Sequence, residues 1–124
     1  MALTGSATVV VVERDPAAQE LIDQALRASG YRVLITRDSQ EALKVGRQVR
    51  IDVLVGDVEL WREQESLTDW LRSFQPEMRV VRICDPDEHH LSELDGAVCL
   101  LRPFSLDELE GAVAQALKRD SPAG

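Results

Sequence analysis

Four short hydrophobic runs of this sequence each end in charged or sulfur-bearing side chains, the groups most capable of chemistry. These residues are Glu13 with Arg14, Asp57, Cys84 and Arg102. If the runs are parallel strands, their carboxyl ends share one edge of the sheet, where sites in open α/β sheets form. The sequence therefore predicts a charged site centred on the Asp57 carboxylate, with a second acid, two guanidinium groups and a thiol around it.

The elements that position these groups are predicted to be buried strands. Five short runs are rich in β-branched and aliphatic residues, and they are apolar at successive positions rather than at alternate ones. This pattern is typical of strands covered on both faces, as in a parallel sheet. The predicted strands are residues 9–12, 32–35, 52–55, 80–83 and 98–101.

Helix signals fill most gaps between the predicted strands. Asp15 as N-cap and Pro16 in the first turn begin one helix, and Gly30 ends it. Two capping-box patterns begin further helices. These patterns pair Asp38 with Glu41 and Ser105 with Glu108. The short, polar segment 85–95 predicts one poor helix or an irregular loop.

Apolar residues at helical spacing predict which helix faces reach the core. Trp70 and Phe74 belong to such a stripe, and we expect both to be core residues. The stripes are Leu21, Ile22, Ala25 and Leu26 in the first helix, and Leu67, Trp70, Leu71 and Phe74 in a later one. Trp61 lies outside these stripes, in a loop near the site, and is interpreted as a partly exposed contact residue.

The alternation of strands and helices predicts one α/β domain. Right-handed crossovers place helices on both faces of the sheet, which gives a single three-layer sandwich. We expect the domain to occupy residues 8–118. Residues 1–7 form an N-terminal tail and residues 119–124 a C-terminal tail or linker stub.

Composition restricts the class of protein further. The chain has 124 residues, of which 44% are hydrophobic, enough for one globular core. Its net charge of −8 disfavours direct nucleic-acid binding through a broad phosphate footprint. It has no apolar stretch of about 18 residues and no recognisable signal peptide, so we expect no membrane span. Two cysteines cannot form a disulfide framework, and a cytoplasmic protein is the expectation.

The order of these features resembles the receiver domains of bacterial two-component response regulators. The resemblance covers nearly the whole chain and rests on three motifs. They are the acid and proline of Glu13-Arg14-Asp15-Pro16, Asp57 at the end of the third strand, and Arg102-Pro103-Phe104 after the fifth. It implies a flavodoxin-like (βα)5 fold with a five-stranded parallel sheet in the order 2-1-3-4-5. It also implies that Asp57 accepts a phosphoryl group from a histidine kinase, and that the chain is not itself an enzyme.

The same resemblance assigns a metal site. In typical receivers two acids after strand one hold a divalent cation beside the acceptor aspartate. Here Glu13 keeps the first acid, and Arg14 replaces the second. Any magnesium ion would then be held by Glu13, Asp57 and the backbone carbonyl of Glu59.

Three further family positions carry altered residues. Cys84 stands in place of the hydroxyl residue at the end of strand four, and Arg102 replaces the lysine after strand five. Cys99 occupies the position of the aromatic conformational switch. The arginine keeps the positive charge of lysine but lacks its flexible, compact ammonium group.

The charge of the site indicates weak magnesium binding. Glu13 and Asp57 carry two negative charges, which Arg14 and Arg102 cancel, whereas a typical site is negative. Hard dications prefer oxygen ligands and negative charge. One unfavourable unit charge at ~4 Å is worth about 4 kcal/mol at an effective dielectric of ~20. That energy is roughly a factor of 10³ in affinity, so we expect either no cofactor or weakly bound magnesium.

Three classes of function remain as alternatives. The first is a receiver that accepts a phosphoryl group at Asp57. The second is a phosphorylation-independent pseudo-receiver, a protein-interaction module in which Arg14 pairs with Asp57. The third, a flavodoxin-type flavin binder, is disfavoured because no Gly/Ser/Thr loop follows strand one to cradle a phosphate. Simpler interpretations also stand: Asp57 as a polar strand end, Arg14 as a solvated side chain, and Arg102 as a loop residue.

Several residues have both a simple and a chemical interpretation. Cys84 and Cys99 lie on neighbouring predicted strands and would suit a redox pair, although free cysteines usually serve as small buried hydrophobes. His89 and His90 lie in a polar segment. Exposure to solvent is a simpler interpretation of these two residues than metal binding.

The expected partners follow from the resemblance. A histidine kinase or phosphotransfer protein would supply the phosphoryl group. An output domain or target protein would receive the signal, most naturally at the last two strands and helices. A homodimer is left open by the sequence.

Overall fold

The computed structural model describes residues 6–57, 67–88 and 97–118, with Asp57 and residues 67–69 described through their backbone, so the predicted core position of Leu67 lies outside the described side chains. The described residues contain five strands, each at or within two residues of its predicted position. They are β1 (Thr8–Val12), β2 (Arg32–Thr36), β3 (Val53–Asp57), β4 (Arg79–Cys84) and β5 (Val98–Leu101). Their β-branched content suits a sheet that is buried on both faces.

Four α-helices occur in the described residues. They are α1 (Pro16–Ala28), α2 (Ser39–Gln48), α3 (Leu67–Phe74) and α4 (Leu106–Lys118). A short 3₁₀ turn, Pro86–Glu88, follows β4 and is the described part of the segment predicted as a poor helix or loop. The rest of that segment, with His89 and His90, lies outside the described residues.

The predicted helix caps are present. The side chain of Asp15 accepts a hydrogen bond from the Ala18 N–H, and Pro16 follows at the first helical position. Ser105 and Glu108 form a reciprocal capping box, with bonds of 2.8 and 3.1 Å. Gly30, at φ +96°, supplies the left-handed backbone that ends α1.

The box at α2 differs from the prediction in one bond. The Asp38 side chain accepts from the Glu41 N–H at 2.9 Å, as a capping box requires. The Glu41 carboxylate reaches one residue further back and accepts from the Arg37 N–H at 2.7 Å. The first bond satisfies a donor in the first turn of the helix, and the second satisfies the N–H of the residue before the N-cap.

The five strands form one parallel sheet in the order β2-β1-β3-β4-β5, which confirms the predicted fold class. Alternate residues face opposite sides, and each side has its own hydrophobic core. Val9 and Val11 face the core under α1 and α4, whereas Val10 and Val12 face the core under α2 and α3. The two helical layers and the sheet make the three-layer sandwich.

The prediction that Trp70 and Phe74 are core residues is wrong. They are 52% and 43% exposed, while Leu71 of the same stripe is fully buried. Helix α3 has only eight residues and lies close to α2, where a Cβ on Gly46 would stand 2.5 Å from Leu71 Cδ2. This close approach turns one row of side chains inward and leaves the flanking aromatics at the surface.

Leu21 was also predicted to face the core and instead is 54% exposed. Ile22 and Leu26, its neighbours in the stripe, are buried in the core under α1 and α4. The apolar spacing therefore predicted the buried side of α1 correctly but wrongly included Leu21.

The side chain of Gln75 connects the end of α3 to the end of α2. Its Nε2 group donates to the carbonyls of Gly46 and Val49 at 2.8 and 2.7 Å, and its Oε1 accepts from the Ile51 N–H at 3.0 Å. These bonds give partners to two carbonyl groups at the end of α2 and to the Ile51 N–H before β3.

No helix in the described part of the chain is both long enough and apolar enough to cross a membrane.

Candidate functional site

The strand register brings the ends of four strands to one edge of the sheet. Val12 of β1 pairs with Gly56 of β3, and Asp57 pairs with Ile83 of β4. Cys84 pairs with Leu101 at the end of β5. Glu13, Asp57, Cys84 and Arg102 therefore reach the same edge, as the parallel order requires.

Glu13 is held at this edge by its backbone and its side chain. Its N–H donates to the Thr36 carbonyl at 2.9 Å, which extends the β1–β2 ladder by one bond. Its carbonyl accepts from Gln19 Nε2 at 2.6 Å, and its Oε2 accepts from the Asp15 N–H at 3.0 Å. Glu13 is half-buried as a residue, and its carboxylate is engaged by the loop that begins α1.

The two residues after Glu13 have different environments. Asp15 uses its carboxylate to cap α1, through the bond to Ala18 N–H. Arg14, between Glu13 and Asp15, is exposed. The described acids after β1 are therefore Glu13, which faces the edge, and Asp15, which serves the helix.

Arg102 is fixed on the opposite side of Asp57 from β1. Its N–H donates to the Cys84 carbonyl at 2.9 Å, which continues the β4–β5 ladder. Its Nη1 lies 3.7 Å from Asp85 Oδ1, so the guanidinium is paired with an exposed acid. The peptide bond to Pro103 is cis.

The two cysteines meet on the face of the sheet under α2 and α3. Cys84 is fully buried and Cys99 is half-buried. Their sulfur atoms are 3.6 Å apart, and Cys84 Sγ also lies 3.7 Å from the Arg82 carbonyl. The described contacts of the Cys84 thiol thus include the neighbouring strand.

Two predicted contributors fall outside what is described. Glu59, whose carbonyl was predicted as a metal ligand, lies outside the described residues, as does Trp61. Pairing of Arg14 with the Asp57 carboxylate likewise stays a prediction, because Asp57 is described through its backbone.

A cleft of about 540 Å³ opens beside this edge, between α1 and the segment after β5. Glu13 and Arg102 line it together with apolar residues from both sides. These apolar residues include Leu21, Phe104 and Leu106, of which Leu106 is 38% exposed.

No pattern in the sequence predicted this cleft. Two apolar residues could have indicated it. Leu21 lies beside the buried residues of α1, and Leu106 directly follows the Ser105 cap.

Comparison with known proteins identifies the class to which this fold and edge belong. The family described as "Response regulator receiver domain" matches residues 9–114, and the chain belongs to that family. It is a receiver domain of two-component systems, a class whose members interact with histidine kinases and output domains.

Individual relatives agree with this assignment. The chain is 30% identical over 118 residues to the probable transcriptional regulatory protein TcrX of Mycobacterium tuberculosis, covering 90% of this chain and 50% of that protein. It is 30% identical over 122 residues to the response regulator MprA of Mycobacterium bovis, covering 94% and 53%. The chain thus spans about half the length of these curated relatives.

Solved structures show the same architecture. A response regulator from Thermotoga maritima superposes with a TM-score of 0.79 at 29% identity, covering 92% of this chain and 99% of that one. A receiver protein from Sinorhizobium medicae gives a TM-score of 0.76 at 20% identity, covering 90% and 94%, and supports the fold alone.

Proposed function

We propose that this chain is a phospho-accepting receiver whose acceptor is Asp57 and whose site depends on arginine more than on a metal ion. The observation that carries the proposal is the convergence of Glu13, Asp57 and Arg102 on one sheet edge, with Arg14 where a second acid would be. A histidine kinase or phosphotransfer protein is the proposed donor.

Charge supports arginine as the neutralising group. A phosphoryl group on a carboxylate brings roughly −1.5 to −2 charge to the edge. Arg102 is anchored there through its N–H bond to Cys84, and Arg14 follows Glu13 directly. Guanidinium groups bind phosphate oxygens in a planar, two-pronged geometry. Arginine at these two positions favours the phosphorylated form of Asp57 over the empty site.

The donor set fits magnesium poorly. Of the described acids after β1, Asp15 caps α1, and Glu13 already accepts the Asp15 N–H. Arg14 adds a positive charge beside them, whereas magnesium requires several oxygen ligands in near-octahedral geometry. The proposal is therefore that magnesium binds weakly and that phosphorylation is slow compared with a receiver that has the full acid pair.

The cleft beside the edge supplies a docking position for the phosphoryl donor. Leu21 and Leu106 are exposed on its two sides, and Glu13 and Arg102 lie in its lining. A partner that fills the cleft with an apolar side chain would bring its phosphohistidine to the rim, next to the carboxyl ends of β1 and β3.

The same proposal covers how the protein passes on its signal. The chain transmits a signal by binding and has no catalytic turnover of its own. The relative TcrX is named as a transcriptional regulatory protein, so a regulatory output domain or a separate target protein is the proposed receiver of the signal. A cytoplasmic location and a homodimer as one signalling form complete the proposal.

A small phosphodonor tests the acceptor directly. The chain is incubated with acetyl phosphate, and intact mass is read with time. We expect one added phosphoryl group on the wild type and none on Asp57→Asn. Asp52→Asn is the matched control, because Asp52 lies at the opposite edge, where its side chain accepts the Thr8 N–H. It should be phosphorylated like the wild type.

The alternative function has its own outcome in the same experiment. A phosphorylation-independent interaction module would give no adduct on any variant, with either acetyl phosphate or a phosphorylated histidine kinase as donor. That result would reject the acceptor role and leave the exposed apolar cleft as the functional surface.

A further inference from the structure

The two thiols of this chain are in contact, although nothing in the acceptor site requires them to be. Cys99 Sγ lies 3.6 Å from Cys84 Sγ. In the register Cys99 pairs with Arg82 and Cys84 pairs with Leu101, so the cysteines are diagonal neighbours two residues apart. Both side chains lie on the sheet face under α2 and α3, since alternate residues share a face.

Only one intramolecular disulfide can form in this chain, because it has two cysteines. A disulfide has an S–S distance of about 2.05 Å, so the sulfur atoms must approach by roughly 1.5 Å. Strand β5 is at the edge of the sheet and has one neighbouring strand, β4. A disulfide between cysteines offset by two residues requires this edge strand, which is bonded on one side, to shift relative to β4.

The two thiols differ in access. Cys99 is half-buried and reachable from solvent, whereas Cys84 is fully buried behind it. This is the arrangement of a reacting thiol with a second thiol poised to displace its oxidised form. If both thiols were equally buried, neither would be expected to react with an oxidant before the other.

We propose that Cys84 and Cys99 form a two-electron oxidation site whose oxidant is a hydroperoxide. The Cys99 thiol loses its proton, its thiolate attacks one peroxide oxygen, and the O–O bond breaks. Hydrogen peroxide thus yields Cys99 sulfenic acid and a hydroxide, which takes the released proton and leaves as water. The Cys84 sulfur then attacks the sulfenic sulfur, the S–O bond breaks, and a second water leaves with the Cys84 proton. Two thiols and one peroxide thus give one disulfide and two waters, with sulfur oxidised and peroxide reduced.

This site is connected to the sheet edge described above. The Cys84 carbonyl accepts the Arg102 N–H at 2.9 Å, and Arg102 also pairs with Asp85. A bond between Cys84 and Cys99 draws the ends of β4 and β5 together and so moves Arg102. Oxidation thereby changes the position of a charged residue beside Asp57. The disulfide itself forms whether or not Asp57 accepts phosphate, so its test is separate from the phosphodonor experiment.

The test treats the folded chain with hydrogen peroxide, blocks free thiols with an alkylating reagent and reads the intact mass without reductant. We expect a monomer that is lighter by two hydrogen atoms and carries no alkyl group, and that regains two alkylatable thiols after dithiothreitol. A monomer with both thiols still alkylated, a sulfinic acid on Cys99, or covalent dimers alone would each overturn the proposal.

Two variants test the order of reaction. In Cys84→Ala, peroxide should produce a Cys99 sulfenic acid that dimedone traps. In Cys99→Ala, the buried Cys84 should react at least roughly tenfold more slowly, because it reacts only through local opening, and denaturant should remove this protection. Equal rates for the two folded variants would overturn the assigned order, with the wild-type mass measurement still deciding disulfide formation.

Coupling to the edge has a separate readout. On oxidation of the wild type, the amide resonance of Arg102 should shift, because its N–H bonds to Cys84. In Cys99→Ala the same treatment should leave that resonance unchanged. A disulfide that forms without moving the Arg102 amide would overturn the coupling while leaving the oxidation site itself intact.

Discussion

The two faces of the sheet are built differently. Under α1 and α4, two helices of thirteen residues each cover a continuous core that reaches β5 through Val98 and Leu100. Under α2 and α3, the helices have ten and eight residues, and the core formed by the described residues is a smaller cluster that includes Leu54 and Leu71. Beyond that cluster the second face carries Arg82 and the two cysteines.

We expect the α1/α4 face to contribute more to stability, and the α2/α3 face carries the thiol pair proposed as an oxidation site. The α1/α4 face carries the larger cluster of buried apolar side chains among the described residues and should contribute most of the free energy of unfolding. The α2/α3 face has exposed aromatics, a tight glycine contact and a thiol pair linked to Arg102. The thiol pair proposed as an oxidation site lies on the face whose described core is smaller, where movement disturbs fewer buried contacts.

The largest expected effect comes from truncating the larger core. Leu109 of α4 is fully buried, so Leu109→Ala should lower the free energy of unfolding by ~2–5 kcal/mol. Trp70→Ala on the other face should cost less than about 1 kcal/mol, because half of the Trp70 side chain is already in water. Urea denaturation of both variants measures the two values. Equal losses would mean that the faces do not differ as described.

Two helical glycines provide a matched comparison of packing. A Cβ at Gly111 of α4 would meet no atom within 4 Å, so Gly111→Ala should stabilise by ~0.5–1 kcal/mol through helix propensity. A Cβ at Gly46 of α2 would meet Leu71 at 2.5 Å and Ile51 at 3.3 Å. Gly46→Ala should therefore be less stable than Gly111→Ala by ~1–3 kcal/mol. Thermal denaturation of the two variants side by side makes the comparison, and stabilisation by both would contradict the close α2–α3 approach.

The smallest expected effect concerns alkaline pH and the α1/α4 face. Burial, and secondarily the nearby Glu110 carboxylate, raise the pKa of Tyr31 above its ordinary 10.0. The folded state therefore holds the phenol proton more tightly than the unfolded state. Its contribution is fully present below pH 10.0 and is lost as pH rises through the raised pKa.

Tyr31→Phe tests this dependence. The variant should lose less stability than the wild type between neutral pH and strongly alkaline pH, as measured by urea denaturation across that range. Tyr31 is the only tyrosine, so its titration can be followed by the ultraviolet absorbance of tyrosinate. An identical alkaline loss in both proteins would assign the effect to other groups.

Much of this architecture was predictable because it depends on local rules. Runs of β-branched residues located all five strands, and Asp15, Gly30 and Ser105 marked helix ends through hydrogen bonds within a few residues. The parallel order then determined which residues share the sheet edge. These features require no knowledge of how far apart the helices lie.

The errors arose where distance between elements decides the outcome. The spacing of Trp70 and Phe74 matched a buried stripe, but periodicity does not show how wide a stripe the neighbouring helix covers. The Gln75 connections, the cleft under Leu21 and the contact between sulfur atoms also depend on how separate elements approach. The sequence placed the two cysteines on adjacent strands, and only the distance of 3.6 Å between their sulfur atoms showed that they touch.

The most direct test of the arginine-based site is a calorimetric titration of magnesium into the wild type and Arg14→Asp, with Arg47→Asp as a control for net charge. We expect no saturable binding to the wild type or the control at millimolar magnesium. Arg14→Asp should bind magnesium roughly 10³-fold more tightly from removal of the unfavourable charge alone, and its new carboxylate adds a further oxygen ligand. Equal magnesium affinity for the wild type and Arg14→Asp would contradict the arginine-based site.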